Sequence, residues 1–342
     1  MSNRFQYIAS NGINSNLYPI KTGVPQGSIL GPTLFNIFVN DLPLYVNKCN
    51  ISMYADDVAC FSCAKNLNDL YLKFNDDLEN ISLWYNSNHL SINIDKSNYV
   101  IFTSRVMMSK INNLIDSTNL NLKINNNVFS RVNHAKYLGL TLSADLGWET
   151  HVDNILVKVN IQIGMLNRLK PFAPKKILLT YYYANIHSHI FYALPIWGVY
   201  YNNYLNNLVI AQKRAIRMVD KADYLASADP IFTKYNVLNF NKLWAHSTMC
   251  FVFNFLNNIY HSNIPINFSK NVSNYVMNTR SRNLGLLLSS TPHSNAGKFA
   301  LAFSGPWVWN QLPEEIRNEN NPNIFKNLSK NFVSQNNIKK CL

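Results

Sequence analysis

Residues 53–59 read Met53-Tyr54-Ala55-Asp56-Asp57-Val58-Ala59, MYADDVA, which sets two adjacent carboxylates in an otherwise apolar stretch. On a regular strand, neighbouring side chains point to opposite faces, so both aspartates serve one place only where the backbone reverses. An ionised carboxylate in apolar surroundings is strongly disfavoured unless it is paired or ligated, and two side by side also repel. A hard divalent cation such as Mg²⁺ takes carboxylate oxygens and relieves both problems. The alternative is an exposed Asp-Asp turn, and this stretch alone leaves both readings open. Ile51 to Phe61 is expected to form a pair of strands around the carboxylates.

Upstream lies Gly23-Val24-Pro25-Gln26-Gly27-Ser28, a loop punctuated by glycine and proline. Glycine lets a backbone approach a ligand closely and proline fixes a turn, although an ordinary structural loop has the same composition. Pro32 suits the first turn of a helix through about Val39, which Asn40-Asp41-Leu42-Pro43 should stop. Residues 4–22 alternate weakly and turn at Asn11-Gly12, which predicts a hairpin or short strands. Leu67, Leu70, Phe74, Leu78, Ile81 and Trp84 recur at helical spacing, so 66–87 is expected to be an amphipathic helix. Leu90–Asn93 and Tyr99–Phe102 read as strands joined by a turn at Asp95-Lys96-Ser97. Further strands are expected at Leu120–Ile124 and Tyr137–Leu142.

After Gly147 the pattern becomes helical. Helices are expected near 149–170, 174–193, 204–221 and 240–260, then an irregular polar stretch over 261–296, a compact aromatic segment Gly305–Asn310, and a last helix near 322–333. The resulting division is 1–145, an α/β module; 146–260, a helical module; and 261–342, a C-terminal segment.

The chain has 342 residues and a formal net charge of +13, a basic excess that suits a polyanionic partner. Lys158, Arg168, Lys170, Lys175 and Lys176 cluster in the helical part, and Lys213, Arg214 and Arg217 form a second stripe. Either set could contact phosphates or be a solvated helix face. Tyr181, Tyr182 and Tyr183 read as packing residues before base-stacking ones, and His187 and His189 as packed histidines. The five cysteines do not form a disulfide framework, and Cys60-x-x-Cys63 lacks a second ligand pair at zinc spacing. The first residues carry no apolar signal core, and the longest apolar run is too short to span a bilayer and contains Pro195. An intracellular location, nuclear and cytoplasmic, with no membrane partner, is expected.

Taken in order, GVPQGSILGPTLFNIFVNDLP, YADD, LSINIDKS and AKYLGLTLS resemble the reverse transcriptases of non-LTR retrotransposons of the jockey and long-interspersed-element type. The resemblance continues through YYYANIHSHIFYALPIWG and AQKRAIRMV to GPWVWNQLPEEIR. It implies an α+β fold: a partial right-hand polymerase palm of antiparallel sheet with packing helices, an all-α thumb and a small C-terminal segment. It also implies RNA-directed DNA polymerase activity with two Mg²⁺ ions, an RNA template, a DNA primer and deoxynucleoside triphosphates. By the same resemblance Asp56 and Asp57 are metal-binding catalytic residues, and Tyr54 and Ala55 lie beside the primer terminus. Pro25, Gln26 and Gly27 contact the templating strand and incoming nucleotide. Lys96 lies near the leaving pyrophosphate, and Lys136, Tyr137, Leu138 and Gly139 form the primer grip.

The family also uses a third aspartate, on a strand ahead of the template loop. Here no Asp or Glu precedes Asp41, which falls at a helix end. The expectation is therefore the C-terminal part of such a polymerase, a truncated element copy or an incomplete gene model. The alternative function is a non-catalytic nucleic-acid-binding remnant of the same enzyme.

Overall fold

The computed structural model describes residues 4–20, 23–24, 27–118, 120–124, 127–199, 202–260, 266, 268, 286–288, 295–336 and 338. The chain is a mixture of helices and short strands, divided into two compact units, Met1–Ala135 and Lys136–Leu342. The division falls ahead of the boundary expected at 145.

In the first unit, β1 (Arg4–Gln6) pairs antiparallel with β4 (Tyr18–Ile20), and β2 (Ala9–Ser10) pairs with β3 (Ile13–Asn14). Asn11 and Gly12 both have positive φ, 49° and 79°, as a two-residue hairpin turn of this hand requires. The turn foreseen at Asn11-Gly12 is present. Helix α1 (Gly31–Val39) carries Pro32 in its first turn, and the Ser28 hydroxyl accepts from the Gly31 N–H at 3.0 Å. It ends at Asn40, and a 3₁₀ turn over Leu42–Tyr45 follows.

β5 (Asn50–Tyr54) and β6 (Asp57–Phe61) pair antiparallel, as the sequence predicts. Helix α2 (Leu67–Ser87) is started by Asn66, whose side chain accepts from the Asp69 N–H at 2.8 Å. Ile81 and Trp84 of this helix join Val39 and Leu42 in one core, and Ile51, Met53, Val58 and Cys60 pack onto it. A second core gathers Leu67, Tyr71, Ile101 and Leu122, with Ile111 and Ile115 of α3 (Arg105–Thr118) against it.

Several expected strands are shorter or missing. Leu90–Asn93 is irregular, Ile94–Lys96 is a 3₁₀ turn, and of the strand expected over Tyr99–Phe102 only Tyr99 is extended, in β7 (Asn98–Tyr99). It pairs in parallel with β10 (Ser130–Arg131). β8 (Lys123–Ile124) pairs with β9 (Asn127–Val128), so the strand expected over Leu120–Ile124 survives only at its end. The described strands form separate two-stranded pairs in place of one antiparallel sheet. Strands of two to five residues offer little edge on which a third could add.

The second unit opens with the hairpin of β11 (His134–Tyr137) and β12 (Leu140–Ser143), the unit boundary falling within β11. The strand expected over Tyr137–Leu142 is thus two strands and a turn. The helices α4 (Glu149–Leu169), α5 (Lys175–Tyr181), α6 (Ser188–Phe191), α7 (Leu194–Trp197), α8 (Asn202–Asp220), α9 (Asp229–Lys234) and α10 (Phe240–Leu256) follow. The helix expected over 174–193 is interrupted, because a π-helical turn over Tyr182–His187 separates α5 from α6. Then come α11 (Asn295–Phe299), α12 (Leu301–Trp309), α13 (Glu314–Arg317) and α14 (Pro322–Gln335). Both α12 and α14 pack on α10, where Phe325 stacks on Phe253 at a centroid distance of 4.1 Å. These C-terminal helices therefore share one core with the helices before residue 260. Most of the stretch expected to be irregular, 261–296, lies outside the described residues.

Asp220 ties three elements together: its Oδ1 accepts from Lys175 Nζ at 2.8 Å, Lys234 Nζ at 2.6 Å and Tyr235 OH at 2.7 Å. Those donors, Lys175 first, hold the Asp220 carboxyl well below the usual carboxylate range.

Three histidines of this unit are pushed down to about 4: His151 by burial and then Lys158, His187 by burial and then Lys330, and His246 by burial and then Lys326 and Lys330. A depressed histidine is neutral in the folded state, whereas in the unfolded chain it takes its proton near pH 6.5. Its contribution is present above about pH 6.5 and lost as pH falls toward the folded value. A loss of up to roughly 3 kcal/mol per histidine is expected between those limits. Urea unfolding of the chain at pH 7.5 and pH 4.5 measures it. His246→Gln should flatten the dependence, and an equal slope in variant and parent would contradict this assignment.

Candidate active site

The register of the β5–β6 hairpin decides where the carboxylates go. Tyr54 pairs with Asp57, Met53 with Val58 and Ile51 with Cys60, leaving Ala55 and Asp56 as a two-residue loop. Directly paired residues share a face and successive ones alternate. Ile51, Met53, Val58 and Cys60 take the face that packs on the Val39–Leu42–Ile81–Trp84 core. Tyr54 and Asp57 take the opposite face, and Asp56 sits in the turn between them. Tyr54, Ala55, Asp56 and Asp57 are all exposed, so the reversal brings both carboxylates to one tip in solvent.

Ala55 has φ +51°, a left-handed conformation that disfavours a residue with a Cβ. A turn that glycine would make with less strain is made here by alanine. Neither Asp56 nor Asp57 has an ion pair or a side-chain hydrogen bond among the described residues. Two neighbouring like charges left without counter-charge suit a cation, and their hard oxygen donors suit Mg²⁺. Among the described residues no third His, Cys, Asp or Glu joins them in a metal-holding group.

The end of the hairpin away from this tip is anchored by a side chain of α2. Asp77 of α2 is 2% exposed. Its carboxylate accepts from the backbone N–H groups of Asn47 at 2.9 Å, Lys48 at 2.9 Å and Cys49 at 2.7 Å, immediately ahead of β5. Burial alone would raise its pKa, but the three N–H donors outweigh it and the carboxyl lies below its ordinary value. Lys48 also pairs with Asp76. Asp41 accepts from the Trp84 indole at 3.1 Å, which fastens the end of α1 to the same helix.

The remaining predicted residues stand as follows. Pro25 and Gln26 lie outside the described residues. Gly27 has φ +79° and open space where a Cβ would lie, so the position calls for glycine by conformation and not by crowding. Lys96 is exposed at the end of the Ile94–Lys96 turn, which Asn93 fixes by accepting from the Lys96 N–H at 3.1 Å. It makes no ion pair with Asp56 or Asp57. The neighbouring Leu90, Ser91, Ile92 and Ile94 line a shallow cleft of about 180 Å³ with Ser82 and Tyr85. Lys136 is exposed and Tyr137 half-buried in β11, and Leu138 and Gly139 form the turn that follows, with φ +45° and +81°.

In the helical unit, Tyr182 is fully buried and accepts from Gln212 at 3.0 Å, while Tyr181 donates to Gln162 at 2.6 Å. Both are packing residues, and Tyr183 is partly exposed. His187 packs against Tyr182, Tyr183 and Phe191. Arg217 is spent on the Ala226 carbonyl, at 2.6 Å, and Lys213 and Arg214 are half-buried. Lys158, Arg168 and Lys176 are exposed and make no ion pair among the described residues. On α4 the exposed apolar residues Val157, Ile161 and Met165 run beside them at helical spacing. Cys49 is pushed up to about 12 and Cys60 to about 11, burial first in each case, so neither is a ready thiolate.

The hairpin presents Tyr-Ala-Asp-Asp at its turn, within the part of the chain that is similar to reverse transcriptases. Residues 3–142 match the family model described as reverse transcriptase (RNA-dependent DNA polymerase), and the chain is similar to polymerases of mobile elements. The chain is 26% identical to the RNA-directed DNA polymerase from mobile element jockey of Drosophila melanogaster, over 66% of its own length and 24% of the relative's. It is 27% identical to the jockey polymerase of Drosophila funebris, over 64% of the chain and 24% of the relative. It is also 27% identical to a probable RNA-directed DNA polymerase from transposon X-element of Drosophila melanogaster, over 61% and 23%. The chain spans about a quarter of the length of these curated relatives. Among the described residues no helix is long and apolar enough to cross a membrane.

Proposed function

We propose that this chain extends a DNA primer on an RNA template, with Asp56 and Asp57 as the metal-holding catalytic pair. The observation that carries the reading is the β5–β6 turn: two unpaired carboxylates at an exposed tip whose other face is anchored in a core. In this reading the first unit serves as the palm and the helices from α4 onward as the thumb. Pro25, Gln26 and Gly27 meet template and nucleotide, and Tyr54 and Ala55 flank the primer end. Lys136 to Gly139 grip the primer strand.

The reaction joins the primer 3′-oxygen to the α-phosphorus of a deoxynucleoside triphosphate as the α–β bridging bond breaks and pyrophosphate leaves. Asp56 and Asp57 would hold Mg²⁺, which when bound would favour loss of the 3′-hydroxyl proton to solvent and neutralise the triphosphate. The protein's own work is positioning and charge. Asp56 and Asp57 contribute negative oxygens from a turn that cannot slide without breaking the Tyr54–Asp57 pairing. Lys96 contributes a positive charge toward the departing pyrophosphate.

A second reading, a nucleic-acid-binding remnant without catalysis, draws on a different observation. Among the described residues only two carboxylates gather at the tip, and the exposed basic residues of α4 suit phosphates regardless of chemistry. One experiment separates the two. The full chain is mixed with a labelled DNA primer annealed to RNA, Mg²⁺ and all four deoxynucleotides, at rising salt. Primer lengthening supports the polymerase. Salt-sensitive binding without lengthening supports the remnant, and absence of both rejects each.

A further inference from the structure

The turn at Leu138-Gly139 is held from outside the hairpin, and its clamp has no part in the family roles assigned above. Tyr192 lies in the break between α6 and α7. Its hydroxyl donates to the Leu138 carbonyl at 2.6 Å. Its ring edge lies 3.2 Å from where a Cβ on Gly139 would stand, so ring and turn are in van der Waals contact. Tyr192 is itself fixed. The Trp197 indole donates to its carbonyl at 2.9 Å, and the next residue, Ala193, takes a left-handed φ of +50° to allow that closure. Trp197 is fully buried, and its ring meets the His151 ring at a centroid distance of 5.5 Å. His151 returns to the hairpin: its Nδ1 accepts from the Thr141 N–H at 3.2 Å. Gly198 is required at the end of α7, because a Cβ there would lie 2.7 Å from the Leu194 carbonyl oxygen and from the Trp244 ring.

These contacts form a closed circuit, Leu138–Tyr192–Trp197–His151–Thr141, that joins the hairpin turn, the helix break and the start of α4. A two-stranded hairpin alone is marginally stable, so an external clamp decides where its turn points. We propose that Tyr192 is a positioning residue that aims the Leu138-Gly139 turn, and through it the primer 3′-end; this rests on the polymerase reading above. It accounts for why a tyrosine precedes the Leu194-Pro195-Ile196-Trp197-Gly198 corner: its polar end serves the hairpin while its backbone serves Trp197.

The test uses the full chain and an RNA–DNA hybrid carrying 4-thiothymidine at the primer 3′-end, irradiated at saturating hybrid. The expected result is cross-linking to the peptide 136–143 that falls about fivefold in Tyr192→Phe, the effect of one hydrogen bond of ordinary strength. The hybrid affinity should change by less than about twofold, since the exposed basic residues that bind phosphate are untouched. Tyr235→Phe, which removes a comparable hydroxyl bond to Asp220, should leave the cross-link as in the parent. Equal cross-linking in parent and Tyr192→Phe overturns the proposal. So does a loss that merely follows weaker binding, or a parent that binds hybrid without cross-linking to 136–143. Failure of the parent to extend primers while cross-linking normally would reject the polymerase reading and leave the positioning role standing. If the parent binds no hybrid, the primer role fails with the polymerase reading. Amide exchange of 138–141 then decides the clamp alone: about fivefold faster exchange confined to that peptide in Tyr192→Phe upholds it, and unchanged exchange rejects it.

Discussion

Asp57→Asn is expected to lower primer extension by at least about a hundredfold while leaving the fold intact. Asparagine has nearly the same shape and keeps one carbonyl oxygen, so the Tyr54–Asp57 pairing and the Met53, Val58 and Cys60 face have no reason to change. What is lost is one full negative charge and one hard oxygen donor from a tip that has only two carboxylates among the described residues. Removing a like charge beside Asp56 should leave stability the same or slightly higher, since the position is exposed and unpaired. The split between readouts makes the prediction sharp: calorimetric binding of Mn²⁺ or Mg²⁺ and primer extension should both fall, and the melting temperature should not. An Asp57→Asn chain that extends at the parent rate would remove the pair from the catalytic role. The same comparison with Asp56→Asn tests the loop position, where the left-handed Ala55 fixes the angle at which the carboxylate leaves the turn.

Much of the architecture around that tip is legible in the sequence, and for one physical reason. Ile51, Met53, Val58 and Cys60 alternate with polar or small residues, and the α2 residues Ile81 and Trp84 recur at helical spacing, because both elements bury one face in the same core. Asn66 and Pro32 mark helix starts by local chemistry alone. Where burial is not one-sided, the reading fails. Leu90 and Ile92 alternate as a strand would and do pack on that core, yet among the described residues no strand pairs with them and the chain turns through Ile94–Lys96 instead. Arg105–Thr118 is a helix whose helical spacing is blurred in the sequence, since its start carries Val106, Met107 and Met108 in a row. Tyr137–Leu142 reads as one strand because its turn, Leu138-Gly139, carries an apolar residue at a positive φ. The helix expected over 174–193 has the right periodicity, but neither the π-helical turn at Tyr182 nor the left-handed Ala193 leaves a local signature. Asp77 and Tyr192 were missed for a shared reason. Each acts on backbone groups distant in sequence, and no pattern of residue types records which carbonyl or N–H a side chain will meet.

Asp77→Asn is expected to destabilise the first unit by about 2–4 kcal/mol, the range for taking one partner from a buried, charge-assisted set of hydrogen bonds. The asparagine oxygen can accept from one or two of the Asn47, Lys48 and Cys49 N–H groups, but its NH₂ end must face a donor that now has no acceptor. The damage falls on the segment entering β5, so the turn that carries Asp56 and Asp57 loosens and extension should fall with stability. Trp84 is the only tryptophan before residue 136 and is buried in the adjoining core, so ¹⁹F labelling of tryptophan reports on this unit separately from the other five. The pH dependence has a definite sign. The Asp77 carboxyl lies below its ordinary value when folded, so its contribution is complete above the unfolded value near pH 4 and vanishes as pH falls through the folded one. The buried histidines of the second unit act earlier, between about pH 6.5 and pH 4. On acidification the tryptophans beyond residue 136 should therefore report unfolding before Trp84 does, and Asp77→Asn, which weakens the first unit already at neutral pH, should narrow or reverse that order. A Trp84 signal that moves with the others throughout, in parent and variant alike, would show that Asp77 does not control the first unit.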